Sequence, residues 1–364
     1  MTMHLTINAS ELGRGRGGNE TFIAGLVEGL AALPSPPDTS LLTCEWGGSR
    51  SLPRSFRTAD LGPYRKLPFF LYQQTAALSR LEPDWYLSNY YLPPVLPCQG
   101  AVVIHDLSFR AHPEWFPRTV AWYMRWLVGW AVQRAERVVT VSEFSREELL
   151  RFHPEVAGKV AVVANGIGLE FTPAEDLERQ RADRQAISTY GVAAPYVLAV
   201  GNIHPRKNLS KLLDAYLALR RRRASVPSLV WVGAPRWGSD VLLARARGAG
   251  VQLTGFVAQA HLPAFYRQAK MLVYPSLYEG FGLPPVEAMA CGTPVITSNT
   301  TSLPGVVGDA ALKIDPTDVL ALAKAMERLL DDAALRRRLS EAGLRRAERY
   351  TWTRTARALL AALH

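Results

Sequence analysis

Residues 278–294, which read YEGFGLPPVEAMACGTP, constrain the fold of this chain more than any other segment. A short apolar run, residues 271–275, comes directly before them and ends in proline, as a buried parallel strand does. The two adjacent prolines can stand only before a helix or in its first turn, because proline lacks the N–H that an interior position donates. The sequence therefore predicts a strand, a glycine loop and a helix that continues over residues 286–290.

Two glutamates stand in this turn. Glu279 lies in the glycine loop, and we predict Glu287 in the first helical turn. Both carboxylates can then face one cavity, together with the loop amides and the positive end of the helix. A carboxylate only accepts hydrogen bonds, which suits the hydroxyl groups of a sugar. Two other interpretations of this segment stay open: a tight connection in an α/β protein without a ligand, and the paired carboxylates of a hydrolase.

Apolar runs alternate with helical patterns twice along the 364 residues, which is typical of α/β domains with parallel sheets. A polar, charged segment over residues 172–185 separates the two alternations and suits an interdomain linker and helix. We predict Rossmann-like domains over residues 1–170 and 171–348, and a C-terminal helix within 349–364.

A glycine loop follows the first predicted strand. Gly13, Gly15 and Gly18 satisfy the dinucleotide fingerprint G-x-G-x-x-G. The fingerprint also needs an acidic residue about twenty positions later, at the end of a second strand. Asp38 is the candidate, and we expect it in a loop, after residues 34–37. A nicotinamide-dependent dehydrogenase is therefore kept only as an alternative.

Two further strand ends carry polar side chains. His105 follows an apolar run at residues 101–104, where it can either satisfy a local hydrogen bond or face a ligand cleft. Its neighbour Asp106 can cap the next segment or orient the imidazole. Arg206 and Lys207 follow another such run and precede a helix. Cations are unfavourable at a helix N-terminus unless an anion is bound there, so we predict an anion site, with solvated loop charges as the alternative.

The formal net charge is +10, with 48% hydrophobic and 20% charged residues. A nucleic-acid partner is not expected, since no basic stripe interleaved with aromatics and no known binding module occurs. Anionic substrates, an anionic membrane surface or solvated helix faces explain the charge better. Trp122, Trp126 and Trp130 share one helix face, which predicts packing between elements or, alternatively, a wall for an acceptor.

The sequence predicts no metal site, because it contains no Asp-x-Asp motif and no set of ligands with metal spacing. Its three cysteines, Cys44, Cys98 and Cys291, have no disulfide spacing and favour a reducing compartment. No basic leader opens the chain, and the longest apolar stretch is too short to span a bilayer. A cytoplasmic location is expected, with peripheral contact to the membrane as a further possibility.

The pattern E-G-F-G-L-P-x-x-E-A-M-A-x-G-x-P-V, at residues 279–295, resembles the signature of the large retaining glycosyltransferase family numbered four. The His-Asp-Leu strand end at His105 and the pattern G-x-x-x-x-R-K-N-L at residues 201–209 are similar to the same family. The resemblance implies the GT-B fold, in which two Rossmann-like domains face each other across a cleft. It also implies that the last helix crosses back to the first domain. One family segment usually carries a glutamate where this chain has Gly305.

The resemblance also assigns roles. It implies that His105 and Glu279 contact the donor sugar, that Glu287 binds the ribose, and that Arg206 and Lys207 bind the diphosphate. Backbone positions expected around the donor are Gly17, Gly18, Gly201, Val257, Gly280, Phe281, Gly282 and Leu283.

The activity implied is retaining, metal-independent transfer of a hexose from a nucleotide sugar to a hydroxyl of a glycan, glycolipid or small molecule. The Phe-Gly-Leu-Pro-Pro variant resembles bacterial mannosyltransferases of surface polysaccharides, so GDP-mannose is the first expected donor and a UDP-sugar the second. No cofactor is expected. A GT-B sugar-nucleotide epimerase, a dehydrogenase and a non-catalytic sugar-nucleotide-binding protein remain alternatives.

Overall fold

Two parallel sheets organise the computed structural model, which describes residues 3–14, 17–44, 52–235 and 239–364. The chain divides into two units, one formed by Met1–Gly166 with Tyr350–His364 and the other by Ile167–Arg349. The sequence placed these divisions at residues 170 and 348. The C-terminal helix, which was expected within residues 349–364 to cross back to the first domain, belongs to the first unit.

All strand pairs in both sheets are parallel, which confirms the α/β class. The strands are β1 (His4–Asn8), β2 (Asp38–Thr43), β3 (Arg57–Asp60), β4 (Trp85–Asn89), β5 (Gln99–Ile104), β6 (Arg137–Thr140), β7 (Val160–Val162), β8 (Tyr196–Val200), β9 (Ser228–Val232), β10 (Gln252–Gly255), β11 (Ala269–Tyr274), β12 (Val295–Ser298) and β13 (Ala311–Ile314). The first sheet has the order β3-β2-β1-β4-β5-β6-β7, and the second has the order β10-β9-β8-β11-β12-β13.

Helices connect the strands. They are α1 (Gly18–Ala31), α2 (Lys66–Pro68), α3 (Gln74–Leu81), α4 (Ser108–Ala111), α5 (Arg118–Arg134), α6 (Glu143–Phe152), α7 (Leu177–Ser188), α8 (Leu209–Arg222), α9 (Asp240–Gly248), α10 (Leu262–Gln268), α11 (Leu283–Ala290), α12 (Leu303–Val307), α13 (Val319–Asp331), α14 (Ala333–Ala347) and α15 (Trp352–Leu363). A π-helical turn, Phe69–Gln73, joins α2 to α3, and shorter 3-10 turns occur at Pro113–Trp115, Pro154–Lys159 and Pro205–Lys207.

Each sheet reverses its strand order once, between β1 and β4 in the first unit and between β8 and β11 in the second. Open α/β sheets bind ligands beyond the carboxyl ends of the strands at such a reversal. The Arg206–Lys207 segment follows β8, and the glycine loop with Glu279 follows β11. The topology therefore places both predicted segments of the second unit at its switch point.

The last helix packs closely on α1 because two positions of α1 are glycine. A β-carbon on Gly25 would lie 1.9 Å from Cε2 of Trp352, and one on Gly29 would lie 2.2 Å from the carbonyl oxygen of Trp352. The Thr355 hydroxyl also donates a hydrogen bond to the carbonyl of Ala164 at 2.8 Å. These contacts make α15 part of the first unit's packing.

The structure corrects the expectation for Asp38. This residue begins β2, in register with His4, and its carboxylate forms an ion pair with Arg57. It lies at the amino end of its strand, whereas the ribose-binding acid of a dinucleotide site lies at the carboxyl end. The apolar run at residues 41–46 predicts a second strand, whose last two residues lie outside the described residues, as does Gly15 of the fingerprint.

Three strands were not predicted. β3 reads RTAD, β7 reads VAV and β13 reads ALKI, and each is an edge strand whose side chains, apart from the buried Ala311, are exposed or half-exposed. The sequence pattern predicts a helix over residues 69–81, and the structure has a longer helical run that begins at Lys66 and contains the π turn. Short edge strands lack the apolar run or alternation that identifies a buried strand.

Candidate functional site

Two loops of the second unit are tied together at the switch point. The Leu277 amide donates to the Arg206 carbonyl at 2.8 Å. Asn208 adopts a left-handed backbone, with φ of 57°, and its side-chain amide donates to the carbonyl of Pro275 at 3.2 Å and to that of Pro316 at 2.7 Å. Because β8 and β11 are neighbours in the sheet, these bonds bring the Arg206–Lys207 turn against the glycine loop.

Glu279 forms the centre of this cluster. Arg206 Nη1 donates to Glu279 Oε2 at 2.8 Å, and Lys207 Nζ donates to Glu279 Oε1 at 2.5 Å. The Arg206 guanidinium also donates to the carbonyl of Tyr278 at 3.2 Å. Glu279 is only 5% exposed, so both ion pairs are formed away from bulk solvent.

Tyr274 is a member of the cluster that the sequence reasoning missed. Its hydroxyl donates to Glu279 Oε1 at 2.9 Å and accepts a hydrogen bond from Lys207 Nζ. Tyr274 is the last residue of β11, directly before Pro275, and a polar group at a strand's carboxyl end was the available signal. Burial and the nearby charge of Glu279 raise the pKa of Tyr274 well above its ordinary value, so it stays protonated.

The electrostatics of the cluster favour a bound anion. Burial by itself would raise the pKa of Glu279, but Arg206 and Lys207 outweigh it and hold that pKa at about 2. One carboxylate against two cations leaves one positive charge. Lys207 also precedes the N-terminus of α8, whose N-cap is Asn208, and that helix end is itself positive.

The start of α11 fixes the shape of the glycine loop. Gly282 is the N-cap with φ of 96°, and a β-carbon there would lie 2.6 Å from Leu303 Cδ2. The Ser302 hydroxyl lies 2.9 Å from the carbonyl of Glu279 and 3.0 Å from that of Phe281. The loop residues Gly280, Phe281 and Gly282 and the first helical residue, Leu283, therefore follow one defined path beside Glu279.

Glu287 lies apart from the charged cluster, and its predicted position was wrong. With α11 beginning at Leu283, Glu287 is the fifth helical residue and lies in the second turn, because two prolines occupy the first. Its carboxylate accepts a hydrogen bond from the Tyr266 hydroxyl at 2.7 Å. Burial raises the pKa of Glu287 to about 7, which the Tyr266 hydrogen bond opposes and the nearby charge of Glu170 reinforces.

Three strand ends of the second unit meet beside this site. The Gly201 amide donates to the Val232 carbonyl at 2.8 Å, and the Gly233 amide donates to the Gly255 carbonyl at 2.9 Å. A β-carbon on Gly233 would lie 2.1 Å from the carbonyl oxygen of Gly201, so the strand ends approach too closely for any side chain there. Val257 follows β10 and is buried.

His105 belongs to the first unit and is held as a neutral imidazole. Its Nε2 lies 3.0 Å from Asn89 Oδ1, and the Asn89 amide nitrogen lies 3.4 Å from Glu11. Because the Asn89 oxygen accepts, Nε2 carries the hydrogen. Burial lowers the pKa of His105 to about 4, a shift that the charge of Asp106 opposes. Phe22 of α1 packs edge-on against the ring, with the ring centroids 4.9 Å apart.

The structure decides between the two roles left open for Asp106. Its Oδ1 accepts hydrogen bonds from the Ser108 amide at 2.9 Å and from the Ser108 hydroxyl at 2.6 Å. Asp106 therefore caps the segment that follows, and Asn89 orients His105. Asn89 is the last residue of β4, and its partnership with His105 depends on the pairing of β4 with β5.

The first glycine loop leads into α1. Gly17 is the N-cap with φ of 74°, and Gly18 begins the helix with open space where a β-carbon would stand. The Gly13 amide donates to Glu20 at 2.7 Å. Gly17, Gly18 and His105 thus lie in the first unit, while all the other predicted site residues lie in the second.

Among the described residues, no group of three or more His, Cys, Asp and Glu side chains is arranged to hold a metal ion. No helix in the described part of the chain is both long and apolar enough to cross a membrane.

Two family models match the chain in consecutive halves. The model described as Glycosyltransferase Family 4 matches residues 16–171, and the model described as Glycosyl transferases group 1 matches residues 183–346. The chain is 35% identical over 269 residues to O-antigen chain mannosyltransferase B of Escherichia coli, covering 72% of this chain and 69% of that protein. The chain belongs to the group 1 glycosyltransferases of family 4, and it is therefore a glycosyltransferase.

Other relatives match parts of longer proteins. The chain is 30% identical over 270 residues to the serotype-specific mannosyltransferase WbdA of Escherichia coli, covering 72% of this chain and 33% of that protein. It is 33% identical over 247 residues to D-inositol 3-phosphate glycosyltransferase of Salinispora arenicola, covering 63% of this chain and 54% of that protein.

Solved structures share the fold. Sucrose-phosphate synthase of Thermosynechococcus elongatus matches with a TM-score of 0.77 and 24% identity, over 99% of this chain and all of that one. The lipopolysaccharide glycosyltransferase WaaG matches with a TM-score of 0.74 and 16% identity, over 99% of this chain and 98% of that one. The expected GT-B fold is confirmed.

Proposed function

We propose that this glycosyltransferase moves mannose from GDP-mannose to a hydroxyl group of a glycan, glycolipid or small-molecule acceptor, with retention of anomeric configuration and without a metal ion. The single observation that carries the proposal is the Arg206–Lys207–Glu279 cluster at the switch point of the second unit. The preference for mannose rests on relatives named as mannosyltransferases, and a UDP-sugar is the second candidate donor.

The donor would bind with its diphosphate against Arg206 and Lys207. These cations are paired with Glu279, so an incoming diphosphate competes for them and frees the carboxylate oxygens. Glu279 then accepts hydrogen bonds from sugar hydroxyls, while its depressed pKa keeps it ionised. The Lys207–Tyr274 contact holds the ammonium group in place during this exchange.

Other residues complete the donor site in this proposal. Glu287 accepts from the ribose hydroxyls, with Tyr266 fixing its orientation. Backbone groups contribute the rest of the contacts. Those of the second unit are Gly201, Val257, Gly280, Phe281, Gly282 and Leu283, and those of the first are Gly17 and Gly18.

The chemistry places negative charge on the leaving diphosphate. As the bond between the sugar C1 and the phosphate oxygen breaks, a new bond forms from the acceptor oxygen to C1, and the acceptor proton passes to the departing phosphate on the same face. Arg206 and Lys207 are already positioned where that charge develops, and a fixed donor of this kind is worth about 3 kcal/mol of barrier. The neutral His105 supplies a hydrogen-bonding group for the donor sugar. We place the reaction in the cytoplasm, because Cys44, Cys98 and Cys291 have no disulfide spacing in the sequence.

Thermal stabilisation by GDP, UDP, GDP-mannose and NAD, without added metal, tests the site. A ligand that binds only the folded state raises the melting temperature. We expect guanine nucleotides to stabilise the wild type, Lys207→Ala to abolish the effect, and Lys211→Ala to preserve it. Lys211 is a matched control because it is exposed on α8, one helical turn further on.

The outcomes separate the alternatives. Stabilisation by UDP alone makes a UDP-sugar the donor, and stabilisation by NAD alone restores the dehydrogenase. Conversion of the donor to an isomer without acceptor identifies an epimerase. Binding without transfer to mannose-containing acceptors, and without hydrolysis, identifies a binding protein. Anomeric configuration in the product, read by NMR, tests retention.

A further inference from the structure

The outward side of α5 in the first unit is aromatic. Trp122 is 74% exposed and Trp126 is 60% exposed, while Leu127, Val128 and Ala131 on the other side of the helix are buried. Packing between elements was expected for all three tryptophans of this helix. It holds for Trp130, whose ring centroid lies 6.4 Å from that of Phe70. Trp126 stacks on Trp130 of the same helix, with ring centroids 6.5 Å apart, and both Trp122 and Trp126 keep most of their surface exposed. Large exposed indoles need another explanation.

A second apolar segment lies beside them. Leu67 is 66% exposed and Leu71 is 48% exposed, one helical turn apart. Two contacts join this segment to α5: Lys66 Nζ lies 4.1 Å from the centre of the Tyr123 ring, and the Phe70 ring packs on the Trp130 ring. The segment therefore runs along α5. We call the surface formed by Leu67, Leu71, Trp122 and Trp126 the tryptophan face.

The charged residues within the two segments that form the tryptophan face have one sign. Residues 61–81 and 115–135 contain no aspartate or glutamate. Arg65, Lys66, Arg118 and Arg125 are exposed there. On α5, residues 118, 122, 125 and 126 follow helical spacing and share one side. The face is therefore both apolar and basic.

We propose that the tryptophan face inserts into the surface of a membrane that contains anionic phospholipids. Indole rings favour the region between headgroups and acyl chains, where an apolar ring and a polar N–H are both satisfied. Leucine side chains add buried apolar area, and each surrounding cation contributes about 1 kcal/mol of attraction to an anionic surface. A second copy is a poorer partner, because a twofold interface would place the same four cations against one another. The inference concerns this surface alone and does not depend on the donor.

Sedimentation with vesicles tests the proposal, using the whole chain and no nucleotide. We expect the protein to bind phosphatidylcholine vesicles that contain phosphatidylglycerol and to bind pure phosphatidylcholine at least roughly tenfold more weakly. Trp122→Ser with Trp126→Ser will weaken binding by at least roughly tenfold. Val241→Ser with Leu320→Ser is the matched control, since both are exposed apolar residues of the second unit.

A charge-matched pair separates the face from the overall positive charge. Arg118→Gln with Arg125→Gln will weaken binding to anionic vesicles about twenty-five-fold, the product of about fivefold for each cation. Arg221→Gln with Arg222→Gln removes the same charge from α8 and will leave binding nearly unchanged.

Four results would overturn the proposal: no vesicle binding by the wild type, equal binding to neutral and anionic vesicles, equal losses in the test and control pairs, or a doubled mass by light scattering that the tryptophan substitutions abolish. The last result would make the face a self-association surface.

Discussion

The glycine loop and the helix that follows it carry two buried carboxylates with opposite properties. Glu279 in the loop is 5% exposed and Glu287 in α11 is 6% exposed. The pKa of Glu279 lies at about 2, and that of Glu287 at about 7. Burial raises both, so their partners make the difference. Glu279 has two cations, whereas Glu287 has a neutral tyrosine and another carboxylate nearby.

One short segment therefore offers two kinds of hydrogen-bond acceptor. Glu279 remains charged at any physiological pH and can balance the charges of Arg206 and Lys207 when no diphosphate is bound. Glu287 changes its charge near neutrality, so its environment is sensitive to pH and to any hydroxyl group that approaches it. Sequence spacing alone made the two residues equivalent.

Replacing the charge of Glu279 gives the largest expected effect. Glu279→Gln leaves Arg206 and Lys207 without their carboxylate, which lowers the free energy of unfolding by roughly 3 kcal/mol and slows transfer by about a hundredfold or more. GDP will nevertheless stabilise this variant more than the wild type, because it no longer competes with Glu279. Urea unfolding, initial rates and thermal shifts measure the three effects.

The exposed Glu341→Gln is the control for Glu279→Gln and will change none of these quantities. Weaker stabilisation of Glu279→Gln by GDP would contradict the idea that the carboxylate and the diphosphate compete for the same cations.

The two carboxylates are expected to affect the pH dependence of stability in opposite directions. The pKa of Glu287 is raised from 4.5 to about 7, so the folded protein keeps a proton there that the unfolded chain has lost, and the free energy of unfolding falls as pH rises through this interval. Glu279 acts in the opposite sense, since its contribution is complete above 4.5 and is lost as pH falls toward 2. Glu287→Gln will remove roughly 3 kcal/mol of decline between pH 5 and 8. If the free energy of unfolding, measured in urea, declines equally in wild type and Glu287→Gln across that range, the prediction is wrong.

Removing one hydroxyl tests the cluster more gently. Tyr274→Phe deletes the hydroxyl that is hydrogen-bonded to both Lys207 and Glu279. We expect the free energy of unfolding to fall by about 1.5–3 kcal/mol, which is the worth of a hydrogen bond to a charged partner. Tyr196→Phe is the matched control, because its buried hydroxyl donates to the neutral carbonyl of Phe265 in α10, and it will cost about 1 kcal/mol. Equal losses in urea unfolding would show that Tyr274 has no special link to the ion pairs.

The smallest effect concerns Tyr266. Tyr266→Phe removes the hydrogen bond that stabilises the Glu287 carboxylate, so the pKa of Glu287 will rise further and the stability decline will move to higher pH by up to about one unit. The double variant Tyr266→Phe with Glu287→Gln will show no such displacement. A displacement that persists in the double variant would assign the effect to another titrating group.

The sequence by itself determined the local elements of the site. Adjacent prolines and glycines required a strand, a loop and a helix around Glu279, and the Arg206–Lys207 pair at a helix start indicated an anion. Apolar runs identified ten of the thirteen strands in the described residues. The three that were not identified, β3, β7 and β13, are short strands at sheet edges.

Only the tertiary structure decided which side chains meet. Tyr274 joins Lys207 and Glu279 because β8 and β11 are paired, and Asn89 orients His105 because β4 and β5 are paired. Tyr266 reaches Glu287 across the packing of α10 on α11. Local propensities follow from neighbours in the chain, whereas these contacts depend on strand order and register over many residues. The charge of each buried glutamate follows from those contacts, and so it could be known only once the fold had brought the partners together.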